Sequence, residues 1–246
     1  MKKQIMNNNQ PGKLIGVGVG PGDPELMTLK AFRLLQKVDV ICYLTNNDNI
    51  SQAKMIASDA IDARKSPAIE IGIVMPMSKD RTLANQAYDD GAARVQQQLE
   101  LGKDVVFICE GDPLFFGSFS YLLERLEAQF VCEVVPGITS INAASSALVS
   151  PLTALTDSFA VVSGRHSDEF LRQTLSEHNS VVIMKAGQSR PRILAALAAT
   201  GRMQDASYLE YISREQQIIE NDVTKLAHEA GPYFSLFLVR HNVATR

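Results

Sequence analysis

The feature that most constrains the fold of this chain is the alternation of short apolar, β-branched runs with helical patterns along its whole length. Strand-like runs lie at 13–18, 38–43, 68–73, 104–109, 131–135, 158–163, 180–184, 206–213 and 233–240. Helical patterns lie between them, at 28–36, 51–62, 81–102, 118–128, 139–149, 167–178 and 190–200. This alternation predicts an α/β protein with largely parallel sheets.

Two α/β halves meet near the stretch VVPG. We expect an N-terminal domain over 12–136, a C-terminal domain over 137–246 and a disordered tail over 1–11, which is rich in Asn. A chain of 246 residues with 46% hydrophobic residues can bury a core in each half. The stretches YLEYISREQQIIEND and YFSLFLVRH alternate apolar and polar residues, which predicts antiparallel pairing at the end of the second domain.

The composition excludes several classes of partner. The 24 basic and 27 acidic residues give a net charge of −3 without blocks of like charge, so no nucleic-acid-binding surface is predicted. The longest weakly polar stretch is interrupted by Pro136, Gly137 and Pro151, which makes it a poor membrane span. The three cysteines and four histidines are scattered, so we predict no metal site and expect a cytoplasmic protein.

The segment LIGVGVGPGDPELMTL contains the first of three glycine loops that follow strand-like runs. The sixth residue counted from Gly16 is Pro21 and from Gly18 is Asp23, so the dinucleotide fingerprint G-x-G-x-x-G fails in both registers. Pro21 lacks an N–H and fixes φ, which predicts a stiff wall for a flat or sulfur-containing ligand. Asp23 is predicted to cap a short helical turn. A plain strand-to-helix turn is the alternative interpretation.

Two further loops, EGDPLFFGS and VVPGITS, also follow strand-like runs. Loops at the carboxyl ends of parallel strands bind ligands in open α/β sheets, so we expect them to line the same crevice as the first loop. Their Gly and Pro residues favour backbone contacts with a ligand. The alternative takes Glu110 and Asp112 as an acid–base pair or as metal ligands. Ser118 is predicted to cap the following helix.

These ordered motifs resemble the signatures of the tetrapyrrole methylases, the S-adenosylmethionine-dependent enzymes of cobalamin and sirohaem synthesis. VGVGPGDPELMTLKA resembles the first signature, EGDPLFFGSF the second and VVPGITS the third, while VVIMKAG and PYFSLFLV resemble the C-terminal strands. The flanks of these motifs are most similar to the branch that methylates C20 of precorrin-2. Glu110 stands where uroporphyrinogen methylases usually have glycine.

The resemblance implies two α/β domains of the class III methyltransferase type, with the active site in the cleft between them. It implies S-adenosylmethionine-dependent methylation of precorrin-2 at C20 to give precorrin-3A in cobalamin biosynthesis. One alternative is the same methylation of the cobalt-bound ring, cobalt-factor II, of the anaerobic pathway. An alternative of a different class is a non-catalytic nucleotide-binding α/β module. Because the family commonly forms homodimers, we expect a homodimer.

The resemblance also implies which residues form the site. The methyl donor is expected against Pro21, Glu110, Gly111, Asp112, Phe115, Ser118, Thr139, Ser140, Met184 and Ala186. No single catalytic side chain is implied, but a proton must leave C20, and the candidate acceptors are Asp23, Tyr43, Glu110 and Asp112. Precorrin-2 carries eight carboxylates, so an acidic protein needs a local basic lining. The candidates, each otherwise a solvated surface charge, are Lys30, Arg33, Lys79, Arg81, Arg165 and His166.

Overall fold

A computed structural model describes residues 10–76 and 80–241. The chain divides into two compact units, Met1–Thr139 and Ser140–Arg246, each built on one five-stranded sheet. The expected boundary after residue 136 thus falls just before the observed division. The tail expected over 1–11 lies, except for its last two residues, outside the described residues, and so does Lys79.

The sheet of the first unit is parallel, in the order β3-β2-β4-β1-β5. Its strands are β1 (Leu14–Gly18), β2 (Val40–Thr45), β3 (Ile69–Val74), β4 (Val105–Cys109) and β5 (Cys132–Val135). Because β1 lies between β4 and β5, the loops that follow these three strands leave the sheet side by side. The predicted parallel pairing is confirmed.

Helices cover both faces of this sheet, because successive strand residues point to opposite sides. Phe107 is buried on the face covered by α4 and α5, and Val106 on the face covered by α1, α2 and α3. The helices are α1 (Leu29–Leu35), α2 (Gln52–Ile56), α3 (Ser58–Asp62), α4 (Arg81–Glu100) and α5 (Phe119–Leu126). The single helix predicted over 51–62 is wrong, because the fully buried Ala57 has ψ near 4° and separates α2 from α3.

The second unit has a mixed sheet in the order β6-β7-β10-β8-β9. Strand β6 is parallel to β7, whereas β10 is antiparallel to both β7 and β8, and β9 is antiparallel to β8. The predicted antiparallel end is therefore confirmed. The strands are β6 (Phe159–Ser163), β7 (Ser180–Met184), β8 (Ala206–Glu210), β9 (Ile218–Glu220) and β10 (Ser235–Arg240).

The helices of the second unit also lie on both faces of its sheet. They are α6 (Ser140–Ala147), α7 (Asp168–Glu177) and α8 (Arg190–Ala199). Helices α7 and α8 pack around Phe237, and α6 packs on the opposite face, against Leu236. The strand predicted over 206–213 ends at Glu210, because Tyr211 and Ser213 have φ of 50° and 61°. Strand β9 was not predicted, since three residues carry too little periodicity.

Candidate functional site

Three loops meet at the carboxyl edge of the first unit's sheet. The N–H of Val19, after β1, donates to the carbonyl of Cys109 at 2.9 Å. Gly20 and Gly111 form an antiparallel bridge, in which the Gly111 N–H donates to the Gly20 carbonyl at 2.8 Å. The third loop joins them because the Gly137 N–H donates to Oδ2 of Asp112 at 3.1 Å. The convergence predicted for the three loops is confirmed within this unit.

Glycine is required where the loops touch. A Cβ on Gly18 would lie 2.4 Å from the carbonyl oxygen of Gly111 and 2.6 Å from Cα of Gly137. A Cβ on Gly137 would lie 2.0 Å from that same oxygen. Gly111 itself has φ of +65°, yet a Cβ there would meet nothing closer than 3.9 Å. The loops are thus in backbone contact, while a Cβ on Gly111 would make only ordinary van der Waals contacts, so the positive φ is what favours glycine there.

Asp112 holds these loops in place through its carboxylate. Its Oδ1 accepts the N–H groups of Leu114 and Phe115 at 2.9 and 3.0 Å, and its Oδ2 accepts the N–H of Gly137. Both oxygens therefore carry backbone hydrogen bonds. The sequence analysis considers Asp112 as a contact of the methyl donor, a proton acceptor or a metal ligand, and does not predict that its carboxylate holds the loops together. An Asp-Pro pair in a turn is only a weak local signal for that structural role.

The other predicted contacts of the first unit lie on or beside this edge. Pro21 is buried, Glu110 is half-buried and Phe115 is 38% exposed. Ser118 directly precedes α5 but makes no capping hydrogen bond, so that part of its predicted role is wrong. Its hydroxyl instead lies 3.7 Å from Sγ of Cys109, since the residue has helical dihedrals that turn the side chain away from the first N–H groups. Thr139 is the last residue of the unit.

Two of the candidate proton acceptors have other roles in the structure. Asp23 accepts the N–H of Glu25 at 2.8 Å and caps a short helical turn, as predicted. Tyr43 was expected at a strand end, but β2 continues to Thr45 and Tyr43 is buried, 8% exposed. Its phenol donates to Glu70, and burial together with that carboxylate raises the pKa of Tyr43. Tyr43 therefore stays protonated at neutral pH and is a poor proton acceptor.

The remaining residues that are predicted to contact the methyl donor lie in the second unit. Ser140 is the first residue of α6. Met184 is the last residue of β7 and is partly buried against the cluster that contains α6. Ala186 is fully buried, and its N–H donates to the carbonyl of Ser235 at 3.2 Å.

The predicted basic residues that the structure describes lie on three different elements. Lys30 and Arg33 are exposed on α1, whereas Arg81 is exposed at the first residue of α4, on the opposite face of the sheet. Arg165 and His166 are exposed in the loop after β6 of the second unit, where the His166 ring packs on Phe170 with centroids 4.3 Å apart. The spacing of apolar residues in a helix does not show on which face of a sheet that helix will pack, so the separation of α1 from α4 could not be predicted.

Neither a metal centre nor a membrane span is found among the residues that the structure describes. Over 10–76 and 80–241, no group of three His, Cys, Asp or Glu side chains could hold a metal ion. No helix in these ranges is sufficiently long and apolar to cross a bilayer.

Comparisons with known proteins agree on one family. The profile of the tetrapyrrole (corrin/porphyrin) methylases matches residues 13–227. A precorrin-2 C(20)-methyltransferase of Sinorhizobium sp is 35% identical over 236 residues, which cover 93% of this chain and 95% of that protein. A cobalt-precorrin-2 C(20)-methyltransferase of Salmonella typhimurium is 30% identical over 93% of this chain and 96% of its own length.

A solved structure shares the fold. It is uroporphyrin-III C-methyl transferase from Thermus thermophilus complexed with S-adenyl homocysteine. The match has a TM-score of 0.68 and 24% identity, and covers 96% of this chain and 100% of that one.

Proposed function

Because the chain belongs to the tetrapyrrole (corrin/porphyrin) methylase family, we propose that it transfers a methyl group from S-adenosylmethionine to C20 of precorrin-2. The product would be precorrin-3A, an intermediate of cobalamin biosynthesis. The observation that carries this proposal is the similarity, over nearly the whole chain, to the precorrin-2 C(20)-methyltransferase of Sinorhizobium sp. The set of three loops at the carboxyl edge of the first unit supports an active enzyme over a non-catalytic nucleotide-binding module.

We place the methyl donor at the carboxyl edge of the first unit's sheet, where the three loops meet; this edge is called the loop edge below. S-adenosylmethionine supplies a methyl group that its sulfonium already activates, so the chain's task is to orient the two reactants. The Thermus structure has the same fold and is complexed with S-adenyl homocysteine, the methyl donor after loss of its methyl group, which supports this choice of donor. The glycines at which these loops meet suit a ligand held by backbone groups.

The proposed donor contacts divide between the two units. In the first unit they are Pro21, Glu110, Gly111, Asp112, Phe115, Ser118 and Thr139. The contacts of Ser140, Met184 and Ala186, in the second unit, rest on the family resemblance alone.

The carboxylates of the substrate need cationic side chains nearby, because this chain has a net negative charge. Arg81 and Arg165 are the exposed arginines that we propose as contacts. Replacing either by Ala is expected to raise KM for the ring without changing the affinity for the donor, and unchanged KM in both variants would refute this assignment.

A second candidate substrate is the cobalt-bound ring, and the similarity to the Salmonella enzyme favours it. The experiment is to incubate the purified protein with S-adenosylmethionine and either metal-free or cobalt-bound precorrin-2, and to determine by mass spectrometry which ring gains one methyl group. Methylation of the metal-free ring alone supports the first proposal, and methylation of the cobalt form alone replaces it with the second. Methylation of neither ring contradicts both.

Equilibrium binding separates these enzymes from the nucleotide-binding alternative. We expect the protein to bind S-adenosylhomocysteine and neither NAD nor ATP, and the reverse pattern would refute a methyltransferase. As part of the same proposal, the protein is a cytoplasmic homodimer, for which light scattering should give twice the chain mass.

A further inference from the structure

We propose that Arg240, together with the hydroxyls of Ser150 and Ser180, binds a chloride ion. Arg240 is the last residue of β10 and lies opposite Ser180, the first residue of β7. This pair is at the other end of β7 from Met184 and Ala186, which are predicted to contact the methyl donor. The inference therefore concerns a second site and does not depend on the function proposed above.

The side chains of Arg240 and Ser180 share one face of the second unit's sheet. Opposite residues of antiparallel strands place their side chains on the same face, and side chains alternate between faces along each strand. Arg240 and Ser180 are thus on the face of Leu238 and Val182, which α6 covers. Nη1 of Arg240 donates to Oγ of Ser150 at 3.4 Å, just after α6. The guanidinium therefore lies between the sheet and the segment that follows α6.

This guanidinium has no anionic partner within residues 10–76 and 80–241. Arg240 is 9% exposed, and its Nε and Nη2 are buried without a hydrogen-bond partner there. None of the ion pairs found in these ranges includes Arg240. Oγ of the fully buried Ser180 likewise has no partner in the described part of the chain. Two N–H donors and a hydroxyl thus occupy the same layer of the unit without an acceptor.

Arginine cannot relieve this situation by losing its proton. A guanidinium stays charged under all conditions in which a protein is folded. A buried charge without a counter-charge destabilises the fold, and buried donors without an acceptor destabilise it further. Water would accept the hydrogen bonds but supply no charge, whereas an anion offsets both effects. The burial of Arg240 therefore points to an anion as its partner.

The geometry of the unpartnered nitrogens favours a small anion. Nε and Nη2 form one side of the planar guanidinium, so their N–H bonds point in nearly the same direction and a single anion accepts from both. Both nitrogens are enclosed, and Leu148 and Leu152 pack on the apolar cluster of the same face. Apolar surroundings strengthen the attraction between opposite charges. A one-atom anion such as chloride needs less space here than a phosphate or a carboxylate.

The test compares urea unfolding of the full-length protein in sodium chloride and in sodium gluconate, an anion too large for this site, at equal ionic strength. Arg240→Met removes the charge, Arg240→Lys keeps it without the two parallel N–H groups, and Ser180→Ala removes one hydroxyl. Arg172→Met is the matched control, because Arg172 is an exposed arginine of α7 in the same unit. Hydrogen exchange followed by mass spectrometry monitors residues 148–152.

We expect chloride to lower the unfolding equilibrium constant of the wild type relative to gluconate, by about tenfold at a chloride concentration ten times Kd. Chloride should also slow hydrogen exchange in residues 148–152. Arg240→Met should lose the difference between the two salts and be at least as stable as the wild type in gluconate, because the unpaired buried charge is gone. Arg240→Lys and Ser180→Ala should bind chloride more weakly, and Arg172→Met should behave as the wild type does.

Equal unfolding of the wild type in the two salts overturns the inference, and so does a chloride effect that Arg240→Met retains. If Arg240→Met does not fold, the other two variants decide: weaker chloride binding in Arg240→Lys and Ser180→Ala supports the site, and unchanged binding in both refutes it. Crystals soaked in bromide locate the ion, whose anomalous scattering should lie within hydrogen-bond distance of Nε and Nη2 of Arg240. Bromide there without a chloride effect in solution would be an adventitious ion only and would also refute the inference.

Discussion

The carboxylate of Asp112 accepts the backbone N–H of Gly137 at 3.1 Å, and this bond ties the loop after β4 to the loop after β5. The same carboxylate accepts two further N–H groups within its own loop, from Leu114 and Phe115. Hydrogen bonds to an ionised acceptor are stronger than those between neutral groups. The Asp112 side chain therefore stabilises the arrangement of the loops at this edge of the sheet.

Replacing Asp112 by Asn should loosen this edge without unfolding the unit. The amide keeps one oxygen for Leu114 and Phe115 but presents its NH2 group to the N–H of Gly137, so the bond between the loops is lost. We expect a loss of about 1–3 kcal/mol in the free energy of unfolding, measured in urea, and weaker binding of S-adenosylhomocysteine by calorimetry. Asp89→Asn, at an exposed carboxylate that pairs with the partly buried Arg125, is the control. Unchanged affinity in Asp112→Asn would show that the loop edge does not hold the donor.

The contact among the glycines predicts a sharp difference between two Gly→Ala substitutions in one sheet. A Cβ on Gly18 would overlap backbone atoms at 2.4 and 2.6 Å, whereas on Gly72 it would meet only side-chain carbons, at 3.4 and 3.5 Å. Gly18→Ala should cost about 1–3 kcal/mol of stability, as overpacking does. Gly72→Ala should be neutral or stabilising, because it reduces the freedom of the unfolded chain. Equal stability of the two variants in urea would contradict the backbone contact at Gly18.

Much of this architecture could be predicted because its signals are local. Strand and helix positions follow from the periodicity of apolar residues, and the loops at strand ends follow from Gly and Pro. The break at Ala57 is different, since alanine favours helix and only the tertiary packing of α2 and α3 separates them.

The site was harder to predict than the fold because it depends on contacts distant in sequence. Asp112 and Gly137 are separated by 25 positions, and nothing in either motif indicates that they bond. Tyr43 was misplaced because its strand ends two residues later than the apolar run suggested, and its phenol meets Glu70 in the neighbouring strand. The left-handed φ of Lys185 could not be predicted either, because the stretch around it otherwise looks like a plain strand end.

The contact of Glu70 with Lys54 and Tyr43 predicts a pH dependence of stability. Burial opposes ionisation of Glu70, but the hydrogen bonds from Lys54 and Tyr43 outweigh it, so the pKa of Glu70 is lowered from its ordinary 4.5. A lowered pKa in the folded state stabilises the protein above pH 4.5, and this contribution is lost as the pH falls through the folded value. Because the Glu70 side chain is 38% exposed, solvent screening limits the effect to less than about 1 kcal/mol.

Urea unfolding as a function of pH measures this contribution. Below pH 4.5 the free energy of unfolding should fall less steeply in Glu70→Gln than in the wild type. Glu100→Gln, on the exposed end of α4, should follow the wild-type curve. Parallel curves for the wild type and Glu70→Gln would mean that the ion pair does not stabilise the fold.

Arg202 is a buried cation that connects several segments of the second unit. Its side chain is 6% exposed, and its guanidinium donates to the carbonyls of Leu175, His178 and Asn179 at 2.7 to 3.0 Å and to Asp205 at 2.5 Å. These bonds satisfy the end of α7 and the turn into β7. Arg202→Ala would leave buried carbonyls and a carboxylate without their donor, so we expect a loss of about 3–5 kcal/mol.

Arg202→Lys should recover only part of that loss, because one ammonium cannot reproduce the planar fork of a guanidinium. Arg192→Ala is the matched control: its guanidinium pairs with Asp168 at 2.6 Å, but both side chains are exposed, and the expected loss is less than about 1 kcal/mol. Hydrogen exchange followed by mass spectrometry should locate the effect of Arg202→Ala in α7 and β7, with the first unit unchanged. Equal losses in the Arg202→Ala and Arg192→Ala variants would mean that the buried network around Arg202 contributes no more than a surface ion pair.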